Sequence, residues 1–196
     1  PQHGRNTTAR IAKPNPPKVS AMTIATLPMA DAPEIDYAAT AFMIICASLV
    51  LFMTAPGLAL FYGGMSRAKS VLNMMMMSFG AFGLVGILYV LYGYSMSFGP
   101  TDVAGIIANP FDKLGLKGTD GLINPFGYEG YGNIPELIFV GFQLTFAVIT
   151  VALISGAIAD RVKFSTWLVF SGLWVTLAYF PIAHMVWGGG LLSASE

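Results

Sequence analysis

Four long apolar runs constrain this chain more than any other feature of its sequence. They cover about 37–60, 71–98, 134–159 and 164–186. About 20 helical residues are needed to cross a hydrocarbon core of about 30 Å. A helix is also the form in which one segment satisfies its own backbone hydrogen bonds in lipid. The runs therefore predict an all-α protein, a polytopic membrane helical bundle with four transmembrane helices.

The composition agrees with a membrane protein and argues against several other classes. Of the 196 residues, 55% are hydrophobic and 10% are charged, whereas about 25% are charged in an average soluble domain. The formal net charge of zero gives no electrostatic basis for binding nucleic acid. The sequence contains no zinc-ligand spacing, phosphate-loop glycine pattern or Ser/His/Asp arrangement. We therefore expect no nucleic-acid partner, no cofactor and no enzyme activity.

The first 36 residues differ from the remainder of the chain. They are basic and punctuated by proline in residues 1–20, a composition typical of disorder. A secretory signal needs an apolar core of about 7–15 residues, and none precedes Tyr37. We predict that residues 1–36 form a disordered N-terminal extension, with Met22 as the natural start, and that residues 37–196 form the membrane domain.

The distribution of basic residues predicts the orientation of the helices. The loop after the first run carries Arg67 and Lys69, and the loop after the third carries Arg161 and Lys163 beside Asp160. The long loop 99–133 mixes lysines with acidic residues, and no Lys or Arg follows the fourth run. Basic loops lie preferentially in the cytoplasm. This places the first and third loops on the cytoplasmic side of the cell membrane and the N-terminus on the outside.

Several local features predict interruptions or interfaces in the helices. Pro56-Gly57 predicts a kink or local unwinding of the first helix. Gly63-Gly64, after Phe61-Tyr62, predicts that this helix stops there. Tyr89, Tyr92 and Tyr94 near the end of the second run are typical of an aromatic belt at the membrane surface.

The third run contains two phenylalanines that a helix would bring into contact. Phe142 and Phe146 are four residues apart, so their rings lie on one helix face. One interpretation is packing against a neighbouring helix. The other is a pair of rings that blocks a narrow path.

The fourth run ends in Ala183-His184-Met185-Val186-Trp187-Gly188-Gly189-Gly190. Trp187 fits an interfacial anchor, and it also fits a cation–π site worth about 0.5–2 kcal/mol. The glycines permit close backbone approach. Ionisable residues inside membranes are functional candidates, but we interpret a lone His184 near the interface as hydrogen-bonded structure.

Taken together, these segments resemble the ammonium transporter family (Amt/Mep/Rh), and specifically the first part of a bacterial member. The resemblance rests on long stretches in chain order: 52–64 (FMTAPGLALFYGG), 91–95 (LYGYS), 142–147 (FQLTFA), 156–165 (GAIADRVKFS) and 179–190 (YFPIAHMVWGGG).

The resemblance implies an eleven-helix protomer with an outside N-terminus, assembled as a homotrimer with one narrow pore in each subunit. It implies that Phe142 and Trp187 line an outer vestibule that attracts ammonium, and that Phe142 and Phe146 form a gate. Tyr179 would lie near the pore wall. The family also implies a PII-type nitrogen-signalling partner at cytoplasmic loops, of which this chain has two, containing Arg67 and Arg161.

The resemblance also implies what this chain does not contain. The family's paired pore histidines, its supporting aspartate and its vestibule serine match no residue here, and neither His184 nor Asp160 takes those roles. Four helices make up most of the first of two inverted halves. We therefore expect a fragment that does not conduct alone. Two alternatives to a transporter are an ammonium sensor and an unrelated structural membrane bundle.

Overall fold

The computed structural model describes residues 34–125, 132–159 and 161–193. Within them, four helices are long and apolar enough to cross a membrane. We call them the first to fourth spans, and they cover Tyr37–Met65, Val71–Phe98, Glu136–Ile158 and Phe164–Trp187. The predicted all-α class and the four spans are confirmed. Residues 1–33, Glu129 and Asp160 lie outside the described residues, so the N-terminal extension stays a prediction.

Three of the four spans contain a segment of wider π-helix, in which the backbone bonds run from i to i+5. The first span is α-helical over Tyr37–Phe52 and Ala59–Met65 around a π segment, Met53–Leu58. The second is α-helical over Val71–Leu88 and Tyr94–Phe98 around Tyr89–Gly93. The fourth is α-helical over Phe164–Trp174 and Phe180–Trp187 around Val175–Tyr179. The third runs as α-helix over Glu136–Ile154 and ends in a 3₁₀ turn, Ser155–Ile158.

The interruption predicted at Pro56-Gly57 is confirmed, since Pro56 lies inside the first π segment. The stop predicted at Gly63-Gly64 lies one residue before the end of the helix at Met65. Gly63 is buried, and a Cβ at this position would lie 3.1 Å from Cγ of Met75. This glycine therefore provides close packing between the first two spans, as small residues do in membranes.

The second span lies at the centre of the bundle and contacts each of the other three. Its buried Met74, Met77 and Val85 form much of the core. The indole of Trp167, on the fourth span, donates a 2.9 Å hydrogen bond to the carbonyl of Met77. First-span side chains such as Phe42 and Leu49 are mostly exposed, which is typical of a surface that contacts hydrocarbon.

The long loop between the second and third spans contains short regular structure that the turn signals did not predict. Strand β1 (Asp102–Val103) pairs antiparallel with β2 (Ile107–Ala108), and a 3₁₀ turn covers Leu114–Leu116. Strand β3 (Leu122–Ile123) pairs antiparallel with β4 (Ile134–Pro135). We call the end of the bundle that carries this loop the loop end.

Asp36 connects the start of the first span to this loop. Its carboxylate accepts hydrogen bonds from the backbone of Ala39 at 2.9 Å and of Gly132 at 3.1 Å. Its own amide donates to the carbonyl of Asn133 at 2.9 Å. The hydrogen bond from Ala39, followed by that from Gly132, lowers the pKa of the Asp36 carboxyl, because both favour the charged form.

The predicted tyrosine belt is wrong for two of its three members. Tyr89 is 1% exposed and Tyr94 is 2% exposed. Tyr89 packs on Phe180 of the fourth span, and Tyr94 packs on Phe98. Their rings therefore fill the bundle core rather than the membrane surface.

Candidate functional site

Trp187 ends the fourth span and borders an aromatic cavity at the loop end. Its side chain is 61% exposed. The cavity has a volume of about 360 Å³ and is lined by Trp187 together with Phe98, Ile123, Asn124, Pro125, Phe139 and Gln143. It therefore lies between the ends of the second, third and fourth spans and strand β3. Its wall combines three aromatic rings with two amide side chains.

The rings of this cavity belong to a chain of aromatic contacts. Phe98 lies 5.3 Å from Phe139, edge to face, and 5.7 Å from the stacked ring of Tyr94. Such pairs contribute about 0.5–1.5 kcal/mol beyond the area they bury. Packing on Tyr94 therefore supports the cavity wall at Phe98 and Phe139. Its shape is set by packing rather than by the loop alone.

Phe142 and Phe146 are in contact, as their spacing predicts. The ring centroids are 4.9 Å apart and the planes make an angle of 73°, so the rings meet edge to face rather than in parallel. Both residues are half-buried. The third span contributes Phe139 and Gln143, and not Phe142, to the lining of the Trp187 cavity. Among the described aromatic pairs, Trp187 does not contact the ring of Phe142 or of Phe146.

Tyr179 lies apart from the cavity. It closes the π segment of the fourth span, eight residues before Trp187, which corresponds to roughly 12 Å along a helix. Its ring contacts Phe180 edge to face at 6.2 Å. The structure thus divides the four predicted site residues among three places: Trp187 at the loop end, the Phe142–Phe146 pair on the third span, and Tyr179 deeper in the fourth.

A buried carboxylate that was not predicted from the sequence lies one helical turn from the cavity. Glu136 is 4% exposed at the start of the third span. It accepts a 2.6 Å hydrogen bond from the Tyr94 hydroxyl and forms an ion pair with Lys113. The Lys113 ammonium lies 5.6 Å from the centre of the Tyr94 ring. An acidic residue between a loop and an apolar run was the available signal, since such a residue must find partners when it is buried.

His184 is hydrogen-bonded inside the protein, as predicted from the sequence. It is 1% exposed. Its Nδ1 lies 3.1 Å from the carbonyl oxygen of Ser97, and its Nε2 lies 2.9 Å from a carboxylate oxygen of Asp102. The hydrogen bond from His184 lowers the pKa of the Asp102 carboxyl. Among the residues that the structure describes, no three His, Cys, Asp or Glu side chains are grouped so as to hold a metal ion.

These features define an all-α, multi-pass membrane protein with an aromatic cavity at one end. Residues 41–196 match the model of the Ammonium Transporter Family. The chain belongs to the ammonium transporter family. This excludes the alternative of an unrelated membrane bundle.

Curated relatives agree with this assignment. The chain is 54% identical over 158 residues to an ammonium transporter of Mycobacterium tuberculosis, a match that covers 75% of this chain and 32% of that protein. It is 48% identical over 160 residues to an ammonium transporter of Aquifex aeolicus, covering 82% of this chain and 36% of that protein. The chain spans about a third of the length of these relatives. They are named as transport proteins rather than enzymes.

Solved structures show the same fold. The crystal structure of Candida albicans Mep2 matches with a TM-score of 0.64 and 27% identity, covering 79% of this chain and 32% of that one. The structure of Saccharomyces cerevisiae Mep2 matches with a TM-score of 0.65 and 27% identity, covering 80% and 34%.

Proposed function

We propose that this chain takes part in moving ammonium or ammonia across a membrane, and that the Trp187 cavity is the site where the cation first binds. One observation carries the proposal. In a member of the ammonium transporter family, an exposed indole at the end of a span shares a cavity with Phe98, Phe139 and the Gln143 amide.

The chemistry of the cavity suits a small cation. Ring faces carry negative charge density, and Trp is the strongest cation–π partner among the side chains. The carbonyl oxygen of the Gln143 amide can accept a hydrogen bond from ammonium. Partial burial of the cavity strengthens both interactions, because they compete less with water.

The Phe142–Phe146 pair would follow this cavity as a gate. The two rings leave no polar group on their contact surface, so a cation that passes them must lose its water. A charged ammonium in an apolar path is costly, so we expect deprotonation before the crossing. Tyr179 would line the path further along the fourth span.

Placement and assembly are part of the same proposal. The positive-inside rule puts Arg67 and Arg161 in the cytoplasm and the loop end outside the cell membrane, together with the N-terminus. The exposed apolar side chains of the first span would meet lipid or other helices of a homotrimer. A PII-type signalling protein would bind at the cytoplasmic loops.

Uptake of labelled methylammonium tests the proposed site. The complete reading frame that contains this chain would be expressed in cells that lack ammonium transport. Trp187→Leu should raise KM roughly 5–30-fold, which corresponds to about 1–2 kcal/mol of lost cation–π energy. Phe142→Ala and Phe146→Ala should abolish uptake. The matched control is Phe42→Leu, which changes a 64% exposed aromatic residue of the first span.

The result separates the proposal from its alternative. Normal membrane insertion with the expected losses supports a pore. Unchanged uptake in Trp187→Leu and Phe142→Ala would overturn the assignment of these rings. Ammonium binding that Trp187→Leu weakens, in a protein that carries no methylammonium flux, would favour an ammonium sensor.

A further inference from the structure

The strongest feature outside the cavity itself is the environment of the His184 ring. Both ring nitrogens face oxygen atoms: Nδ1 faces the Ser97 carbonyl at 3.1 Å, and Nε2 faces the Asp102 carboxylate at 2.9 Å. A carbonyl oxygen and an ionised carboxylate can each only accept a hydrogen bond. Both contacts are therefore hydrogen bonds only when both nitrogens carry a proton, that is, when His184 is an imidazolium.

The ring and its carboxylate partner differ in their exposure to water. The ring is 1% exposed, whereas the Asp102 side chain is 49% exposed and remains in contact with water. Asp102 is held in place by the amide of Gly105, which donates to its two carboxylate oxygens at 3.0 and 2.9 Å. A buried imidazolium with one carboxylate and one carbonyl partner satisfies the requirement that buried charges be paired.

Main-chain hydrogen bonds fix the backbone on both sides of Trp187. The His184 carbonyl accepts hydrogen bonds from the amides of Gly188 at 2.9 Å and Gly190 at 3.1 Å. The carbonyl of Gly105 accepts one from the amide of Leu191 at 2.9 Å. Trp187 thus lies between a residue anchored to Asp102 and a segment anchored to the turn that Asp102 closes.

The glycines after Trp187 serve this packing. A Cβ at Gly188 would lie 2.1 Å from the Ser97 carbonyl oxygen, and one at Gly190 would lie 2.5 Å from the Gly105 carbonyl oxygen. Both obstacles are backbone atoms, which cannot rotate away as a side chain can. Gly188 and Gly190 therefore allow the segment after Trp187 to pack closely on the backbone of Ser97 and Gly105. This packing leaves the backbone at Trp187 little freedom.

We propose that His184 is a positioning residue, held as an imidazolium by Asp102 and Ser97, whose ion pair sets the placement of the Trp187 indole at the cavity. The part concerning Trp187 rests on the proposed function. Protonation of Asp102, or its replacement by an uncharged residue, removes the ion pair and loosens the segment 187–191.

Among the residues that the structure describes, the hydrogen-bond partners of this ring include one ionisable side chain. The loop provides Asp102, the second span provides the uncharged Ser97 carbonyl, and the segment 188–191 provides backbone amides. The lowered pKa of Asp102 keeps this partner charged well into the acidic range. The contact should therefore fail at very low pH, when the carboxyl is protonated.

Nitrogen NMR measures the protonation state directly. The chain has two histidines, His3 and His184, so a His3→Gln variant labelled with ¹⁵N-histidine in lipid vesicles reports on His184 alone. At about pH 7 both ring nitrogens should carry protons, because each faces an oxygen that can only accept a hydrogen bond. Asp102→Asn should convert the ring to the neutral form with its proton on Nδ1. Asp120→Asn, an exposed position in the same loop, should leave it charged.

Two further readouts test the positioning. The amides of Gly188, Gly190 and Leu191 should exchange with solvent faster in Asp102→Asn than in Asp120→Asn. In the complete reading frame, Asp102→Asn should raise KM for methylammonium by at least about 2-fold but less than Trp187→Leu, with kcat little changed. Asp102→Glu should restore part of the effect.

The outcomes distinguish this inference from the proposed function. A neutral His184 ring at pH 7, or unchanged amide exchange and KM in Asp102→Asn, would overturn the inference. If Trp187→Leu itself leaves uptake unchanged, the proposed cation site at Trp187 is wrong. The NMR and exchange measurements would then still decide whether His184 and Asp102 hold the segment as described.

Discussion

The hydroxyl of Tyr94 donates a 2.6 Å hydrogen bond to the carboxylate of Glu136. This contact joins the second and third spans at the loop end, where Glu136 is almost completely buried. The ammonium of Lys113 binds the same oxygen and brings in the loop. One buried carboxylate therefore connects two spans and the segment that covers them.

Lys113→Met should destabilise the protein by about 3 kcal/mol, because it leaves the Glu136 charge buried without its cation. The free energy of unfolding, measured with denaturant in detergent micelles, gives the size of the loss. Glu136→Gln in the Lys113→Met background should recover most of it, since the amide can still accept the hydrogen bond from Tyr94. Lys117→Met is the control at an exposed position of the same loop. Equal effects of the two lysine variants would contradict the role of the ion pair.

The second and fourth spans meet closely at Gly93. A Cβ at this position would lie 2.3 Å from Cζ of Phe180, whose fully buried ring is packed between Tyr89 and Tyr92. Gly93→Ala should therefore cost about 1–3 kcal/mol through overpacking. Gly86→Ala on the same span is the control, because a Cβ there meets nothing within 4 Å. It should be neutral or stabilising by up to about 1 kcal/mol. Melting temperatures in detergent decide, and a harmless Gly93→Ala would show that the spans can separate.

The spans could be predicted from sequence, because lipid requires long apolar helices, and so could the contact of Phe142 with Phe146, because helical spacing determines it. The burial of Tyr89 and Tyr94 could not. A tyrosine near a helix end suits the membrane surface, but it also suits a core position where a carboxylate such as Glu136 accepts its hydrogen bond. For Tyr94 the choice depends on this partner. The buried Tyr89 hydroxyl has no hydrogen-bond partner among the described residues, and its ring is held by packing on Phe180.

The cavity wall and most of the π segments also could not be predicted from local sequence patterns. Phe98 and Phe139 lie on different spans and meet through tertiary packing, which is a long-range relationship. The π segment Met53–Leu58 contains Pro56, which signals an interruption. The segments Tyr89–Gly93 and Val175–Tyr179 contain no proline. They lie next to one another, linked by a 2.7 Å hydrogen bond between the hydroxyls of Tyr92 and Thr176.

The contribution of Asp36 to stability should vanish in acid. Its folded-state pKa is lowered by backbone hydrogen bonds, so the contribution is fully present above the unfolded-state pKa of about 3.9. It is lost as the pH falls through the lower folded-state pKa. The difference in melting temperature between the wild type and Asp36→Ala should be constant near neutral pH and shrink below about pH 4. A difference that grows on acidification would mean that the carboxyl helps in its protonated form.

The 196-residue chain by itself should not transport methylammonium. It spans about a third of the length of the ammonium transporters that it matches. In the part of the chain that the structure describes, the Trp187 cavity is walled by the second, third and fourth spans and the loop. The first span exposes its apolar side chains instead. A conduction path needs a closed, water-excluding wall, since a gap to lipid would leave the solute without polar partners.

Purified chain in proteoliposomes should therefore show the background uptake of empty vesicles, while the complete reading frame shows saturable uptake. The prediction would be contradicted if the 196 residues alone showed saturable uptake that Trp187→Leu reduces. These four spans would then form a closed path, either by themselves or by self-association.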